Sequence, residues 1–224
     1  MHYRPPFTGI LAILLAAFVP FALAAELSVE ETAVPENVTD AIKTTLESKV
    51  MTIKSENSVV WEFWLRKDIP VVTAAGKKDG TLNDVKELTL IGVARVGKGQ
   101  RDFKDVEIDE GVYTLRMGKI PQDGDHMGVA PHPFFAVLVK ADLDTEVDFS
   151  ASHDEMVDKS MEDRKAHHPA ILSLQPAEAV QGDLPQIGDG ENEWKLLYLS
   201  LSGKSADGTV TVKAGLVFEG FGEI

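Results

Sequence analysis

Cysteine is absent from all 224 residues. That excludes a disulfide framework, a lipid-anchored N-terminus and a Cys-x-x-Cys-His haem attachment, so packing alone must hold the chain together. Positive charge is scarce as well. Lys and Arg number 22 against 36 Asp and Glu, a formal net charge of −14. Such a field attracts neither nucleic acid nor an anionic membrane surface, and it suits a soluble protein or one that meets cations. Long apolar runs are also missing. Ile10 to Val19 is uninterrupted for only 10 residues, where a spanning helix needs about 20, and Pro20 stands where such a helix would continue.

That run has a different meaning. Arg4 precedes it, and Ala22-Leu23-Ala24 after it fits the small-x-small cleavage pattern. The expectation is a cleaved signal peptide over residues 1–24; the alternative is an uncleaved N-terminal anchor. Export places the protein in the periplasm or outside the cell, with no stable membrane insertion once the leader is gone. Removing residues 1–24 from the 224 leaves 200, and because Arg4 is the one charge removed, the net charge becomes −15. A chain of that length can bury a good core as a single domain over 25–224.

Several catalytic signatures are missing too. There is no Gly-x-Ser-x-Gly elbow, His-Glu-x-x-His, phosphate-cradling glycine loop or dinucleotide fingerprint. A nucleophile-based enzyme has no positive support, although acid–base pairs need no local signature.

Alternation fills most of the mature chain. VMTIKSE and VVWEFWLR have period two, with Glu56-Asn57-Ser58 as the turn between them. In the second run Val59, Trp61, Phe63 and Leu65 face one way, which makes Trp61 and Phe63 core candidates and leaves Trp64 on the open face. LTLIGVARV, GVYTLRM, the continuous run FFAVLVKA, AILSL, EWKLLYLSLSG and TVTVKAGLVFEG read as further strands. Asp207-Gly208 is a hairpin turn pair, and Asp109-Glu110-Gly111 fits either a tight turn or a bulge. Residues 175–192 read as a surface loop. Tyr113, Leu115, Phe135 and Leu197 join Trp61 and Phe63 as predicted core.

Helical spacing is confined to two places. Val38, Ile42 and Leu46 recur at helical period after Thr39-Asp40. In SHDEMVDKSMEDRK, Ser152 and Glu155 make a capping box, acids come early and bases late, and Met156, Val157, Ser160 and Met161 form one stripe. His167-His168-Pro169 would end that helix. The balance predicts an all-β fold, mainly an antiparallel β-sandwich of jelly-roll or Ig-like type, with one or two short helices.

GVYTLRMGKIPQDGDHMGVAPHPFFAVL followed by HHPAILSL resembles a family of exported bacterial proteins of unknown function. The most specific parts are Tyr113-Thr114-Leu115-Arg116, Gln122 to Gly128 (QDGDHMG) and His168-Pro169-Ala170. The resemblance runs from the Trp61 strand to the final GLVFEG. It implies export and brings no activity with it. The Gly-x-Tyr-x-Leu strand is also similar to those of other exported β-sandwich domains, which bears on fold alone.

The chemistry concentrates in the loop 118–133. Two carboxylates and an imidazole within four residues (Asp123, Asp125 and His126) can converge on one divalent cation, with Gly124 letting the backbone curl. His168, on a separate junction, would complete the site. The plainer reading is that Asp-Gly-Asp caps its own backbone amides. Met127, His132, His153, Met156, Met161, His167 and His168 also offer soft and borderline ligands of the kind copper takes, without a repeated Met-x-x-Met or His-x-His pattern. Arg116 could be a bidentate clamp on a carboxylate or phosphate ligand, with Asp123 as a second ligand-binding residue, or it could pair internally with Asp123 or Asp125. The function expected first is a ligand- or cation-binding module that uses this loop. The alternatives are a metal-dependent hydrolase or isomerase on the same cluster, and a structural or interaction domain of the cell envelope. The partner is then a small ligand or an envelope protein.

Overall fold

The computed structural model describes residues 25–222 except 57, 121–129, 150–151, 163 and 165. Its strands form one sheet. β1 (Glu26–Glu31), β2 (Lys49–Ser55) and β3 (Ser58–Leu65) make a first meander. β4 (Ile69–Pro70) and β5 (Asp79–Gly80) are two-residue pieces. β6 (Leu90–Val96), β7 (Gly111–Lys119), β8 (Phe134–Lys140) and β9 (Ala170–Pro176) make the second meander. β10 (Gln186–Asp189), β11 (Lys195–Ser205) and β12 (Gly208–Glu219) close the chain. The hydrogen-bonded order is β1-β2-β3-β6-β7-β8-β9-β12-β11-β10, with β4 on β11 and β5 on β12.

The fold is therefore all-β. The neighbours run unbroken through a single curled sheet, a half-barrel, instead of dividing into two stacked sheets. β1 and β10, at its two ends, come within 8 Å of each other, Cα to Cα.

Period two explains the curl. Inward residues of successive strands (Met51, Ile53, Trp61, Phe63, Leu115, Met117, Leu138, Leu172, Leu199 and Val212 among them) meet in one buried cluster. All six predicted core residues are buried, and the Trp61 and Phe63 rings stack with centroids 5.4 Å apart. The continuous run in β8 is explained by cover on both faces. Phe134, Ala136 and Leu138 point into the core, while Phe135, Val137 and Val139 lie under Met156 of helix α2 (His153–Met161).

Both helices sit on the outer face. α1 is short (Asp40–Lys43), and Val38, Ile42 and Leu46 around it are buried as their spacing predicts. They cover Trp64 together with Val93 and Leu90, so Trp64 is fully buried and does not occupy an open face. Helical cover over the outer face is a tertiary fact that strand alternation does not encode. The Ser152–Glu155 capping box is present. α2 stops at Met161, well before His167.

Three local readings resolve. Gly111 opens β7 opposite Val96, so Asp109-Glu110 precede the strand, and the register shift in the β6–β7 pairing comes instead at Leu90/Gly92. The β11–β12 turn is Ala206-Asp207, with Gly208 already paired to Ser205 at φ +130. The 175–192 stretch contains β10, whose four residues are too few to show a period.

Candidate functional site

Arg116 lies on the outer side of β7, opposite Leu115 and Met117. Its side chain is 0% exposed, as is that of its partner Asp144. Nε donates to Asp144 Oδ2 at 2.6 Å and Nη2 to Oδ1 at 2.9 Å. Nη1 donates to the carbonyls of Leu88 (2.9 Å) and Val147 (3.4 Å), and Nη2 also reaches the Glu146 carbonyl. A guanidinium has five N–H donors, and all five find acceptors inside the protein. The internal ion pair exists, and its carboxylate comes from the 142–149 segment. With no donor left over, Arg116 serves as a clasp on that segment, and Phe149 stacks over it at 5.0 Å.

A concave site lies elsewhere, at the rim of the half-barrel where β7 begins and β8 ends. It holds about 510 Å³, and its lining includes Tyr113, Lys140, Ser160, Arg164, His167 and His168. Sheet register builds one wall, since Tyr113 stands opposite Lys140 and Leu138 opposite Ala170, two residues beyond His168. Ser160 ties the end of α2 to that wall. Its hydroxyl donates to the Leu138 carbonyl (2.7 Å) and accepts from Ala170 N (3.0 Å). The 102–109 loop supplies the opposite side.

Asp102 anchors that loop and is 0% exposed. Its Oδ1 accepts from Lys104 N at 2.9 Å and Val106 N at 3.0 Å, a side chain closing its own turn. Its Oδ2 accepts from Arg164 Nη2. His168 Nδ1 stands 3.8 Å from the same oxygen and 2.9 Å from the Pro169 carbonyl. A carbonyl can only accept, so in the neutral ring Nδ1 carries the proton and Nε2 offers its lone pair. Tyr113 donates its hydroxyl to the Asp109 carbonyl at 2.8 Å. Burial pushes that phenol up to about 12, and Asp109 beside it acts in the same direction. Tyr113 is thus a neutral donor at any physiological pH.

His168 is placed by the structure, 25% exposed and on the pocket. Asp123, Asp125 and His126 lie outside the described residues, as does Met127. The roots of their loop, Lys119 and Phe134, pair at the far end of β7–β8. β8 separates them from the His168 end by roughly 20 Å, at about 3.3 Å per residue. Ala130 packs on the cluster of Phe103, Trp194, Leu196 and Val217, and Phe103 adjoins Asp102. Among the described residues no three His, Cys, Asp or Glu gather as a metal cage. The remaining copper candidates are dispersed, with Met156 in the layer under α2 and His153 paired to Glu87 at 2.8 Å.

Sequence reading singled out His168 but passed over Asp102, Tyr113, Lys140 and Arg164 as site residues. Arg164 had shown only as a base late in a helix, and its partner is 62 positions away. The chain matches no family model, no curated protein and no solved structure.

Proposed function

We propose that this protein is an exported binding module that takes a small ligand in the rim pocket. The observation that carries the reading is a nine-tenths-buried guanidinium, Arg164, on the wall of a cavity of about 510 Å³ at the mouth of a half-barrel. Such mouths are a preferred position for ligand sites, and cavities of this size suit small organic molecules. Binding is favoured over catalysis because the serine on the pocket, Ser160, has its hydroxyl committed to two backbone groups. Export rests on the leader pattern of residues 1–24 and on the resemblance to exported bacterial proteins.

Protein recovered from the periplasm or medium should begin at Ala25 or Glu26. In ligand-observed NMR against a fragment library it should return mutually competing binders that disappear in Ala166→Trp, a substitution that fills the pocket from its lining. An intact Met1 would remove the export half of the reading, and a library with no such binders the other half.

The 118–133 loop carries a second, separable reading, a divalent cation held by Asp123, Asp125, His126 and His168. Its support is the packing of Ala130 beside Phe103, which leads the loop's returning arm toward Asp102 and the His168 junction. A cation at a hundredfold excess over its Kd stabilises the folded state by about 2.7 kcal/mol. Zinc, calcium or copper should then raise the melting temperature of wild type but not of His126→Ala or Asp125→Ala. If the loop only caps its own turn, those variants instead lose about 1 kcal/mol without metal, and metal does nothing.

A further inference from the structure

Arg116 and Arg164, both with side chains at least nine-tenths buried, are unequally satisfied. Arg116 has an acceptor for every N–H and lines none of the cavities described above. Arg164 is 10% exposed and lines the rim pocket, yet the one hydrogen bond of its side chain among the described residues runs from Nη2 to Asp102. Its Nε is buried with no partner among the described residues. Buried donors are almost always paired, and an unmade bond to a charged group costs more than one to a neutral group. Asp102 cannot supply more, because its Oδ1 already closes the 102–106 turn.

Position decides which sign of ligand this favours. Glu107, Asp109 and Glu162 also line the pocket, but all three are exposed, where water and salt screen them. The guanidinium stands at depth, where a charge acts most strongly. Val106, Ala166, Ala170 and the Tyr113 ring give the remaining wall an apolar character.

Resting on the rim-pocket reading, we infer that the ligand is a small carboxylate with an apolar body. The carboxylate seats on the Arg164 guanidinium, the geometry in which planar fork and planar anion match best. The apolar body lies along Ala166, Ala170 and the face of Tyr113.

The probe is benzoate, compared with its uncharged isostere benzamide. Titration into the full mature protein should show benzoate binding at least about tenfold more tightly, the difference one charge-assisted contact makes. It should also shift the ¹⁵Nε resonance of Arg164 in wild-type protein, a readout that needs no variant. Arg164→Gln alone strands the Asp102 carboxylate and risks unfolding, so it is paired with Asp102→Asn to remove both charges together. The double variant and Ala166→Trp should each abolish benzoate binding. Equal binding of the two probes, still blocked by Ala166→Trp, would overturn the carboxylate and leave the pocket reading standing. Benzoate binding that survives the double variant would overturn the role of Arg164. If neither probe binds while other fragments do, the carboxylate falls alone; if nothing binds, both readings fall.

Discussion

Asp144→Ala should lower the free energy of unfolding by about 3–5 kcal/mol, the cost of leaving one member of a buried ion pair without its partner. The environment of Arg116 puts the effect in that range. Neither side chain of the pair is exposed, and the guanidinium takes two of its acceptors from the Asp144 carboxylate. Thr114 Oγ1 also donates to Asp144 Oδ2, so the substitution leaves that hydroxyl only the Val139 carbonyl at 3.3 Å. Water cannot replace the carboxylate while Leu88, Val147 and Glu146 hold the guanidinium in place through their carbonyls. Urea unfolding reads the loss as a fall in midpoint at constant slope. The control is Arg116→Met with Asp144→Leu, which removes both charges and should recover most of the stability, since buried pairs often gain little over apolar groups of similar volume. A loss below about 1 kcal/mol for Asp144→Ala would mean that the pair is open to solvent.

Trp61→Ala should cost a similar amount, about 3–5 kcal/mol, by a different route. Trp61 is 0% exposed at the centre of the inward cluster and stacks on Phe63 with ring planes 10° apart. Truncation removes the transfer energy of a large side chain and leaves a cavity that the surrounding hydrogen-bonded strands cannot fully collapse around. A second substitution separates packing from polarity. The indole Nε1 is buried with no hydrogen-bond partner among the described residues, and an unsatisfied donor costs about 1–3 kcal/mol. Trp61→Phe keeps an aromatic ring and removes that donor, so it should cost less than half as much as Trp61→Ala. Equal costs for the two would show that the retained ring contributes nothing and would overturn the packing account.

How far the sequence reached can be argued from these same residues. Trp61, Phe63, Tyr113 and Leu115 were legible because period two is a local signal, and a strand with one face in a core must write that face into every second residue. The Ser152–Glu155 box was legible for the same reason, since all of its partners lie within one helical turn. Trp64 was not. Its burial depends on α1 lying over β3, and no pattern inside β3 announces what covers its outer face. The closure of the strands into one curled sheet was hidden similarly, because alternation is identical in a sandwich and in a half-barrel. At the site, His168 drew notice through His-His-Pro and Arg116 through its place on a strand, but the partners of each lie in distant segments. Asp144 is 28 positions from Arg116 and Asp102 is 62 from Arg164. Only the fold brings such pairs together.

The two free margins of the sheet bear on how the protein behaves when crowded by copies of itself. An unpaired strand is a template on which another chain can add, and long, flat, apolar margins aggregate. β10 is only four residues long, which offers an incoming strand little to pair with. β1 is longer and exposes Val29, but Glu30 and Glu31 follow it and Glu26 opens the strand, all three exposed. Carboxylates flanking an apolar residue act as gatekeepers against stacking. Two molecules meeting margin to margin would bring those carboxylates together on chains that each carry a net charge of −14. The sheet stops short of closing into a full cylinder, and charge and brevity guard that seam against strand addition.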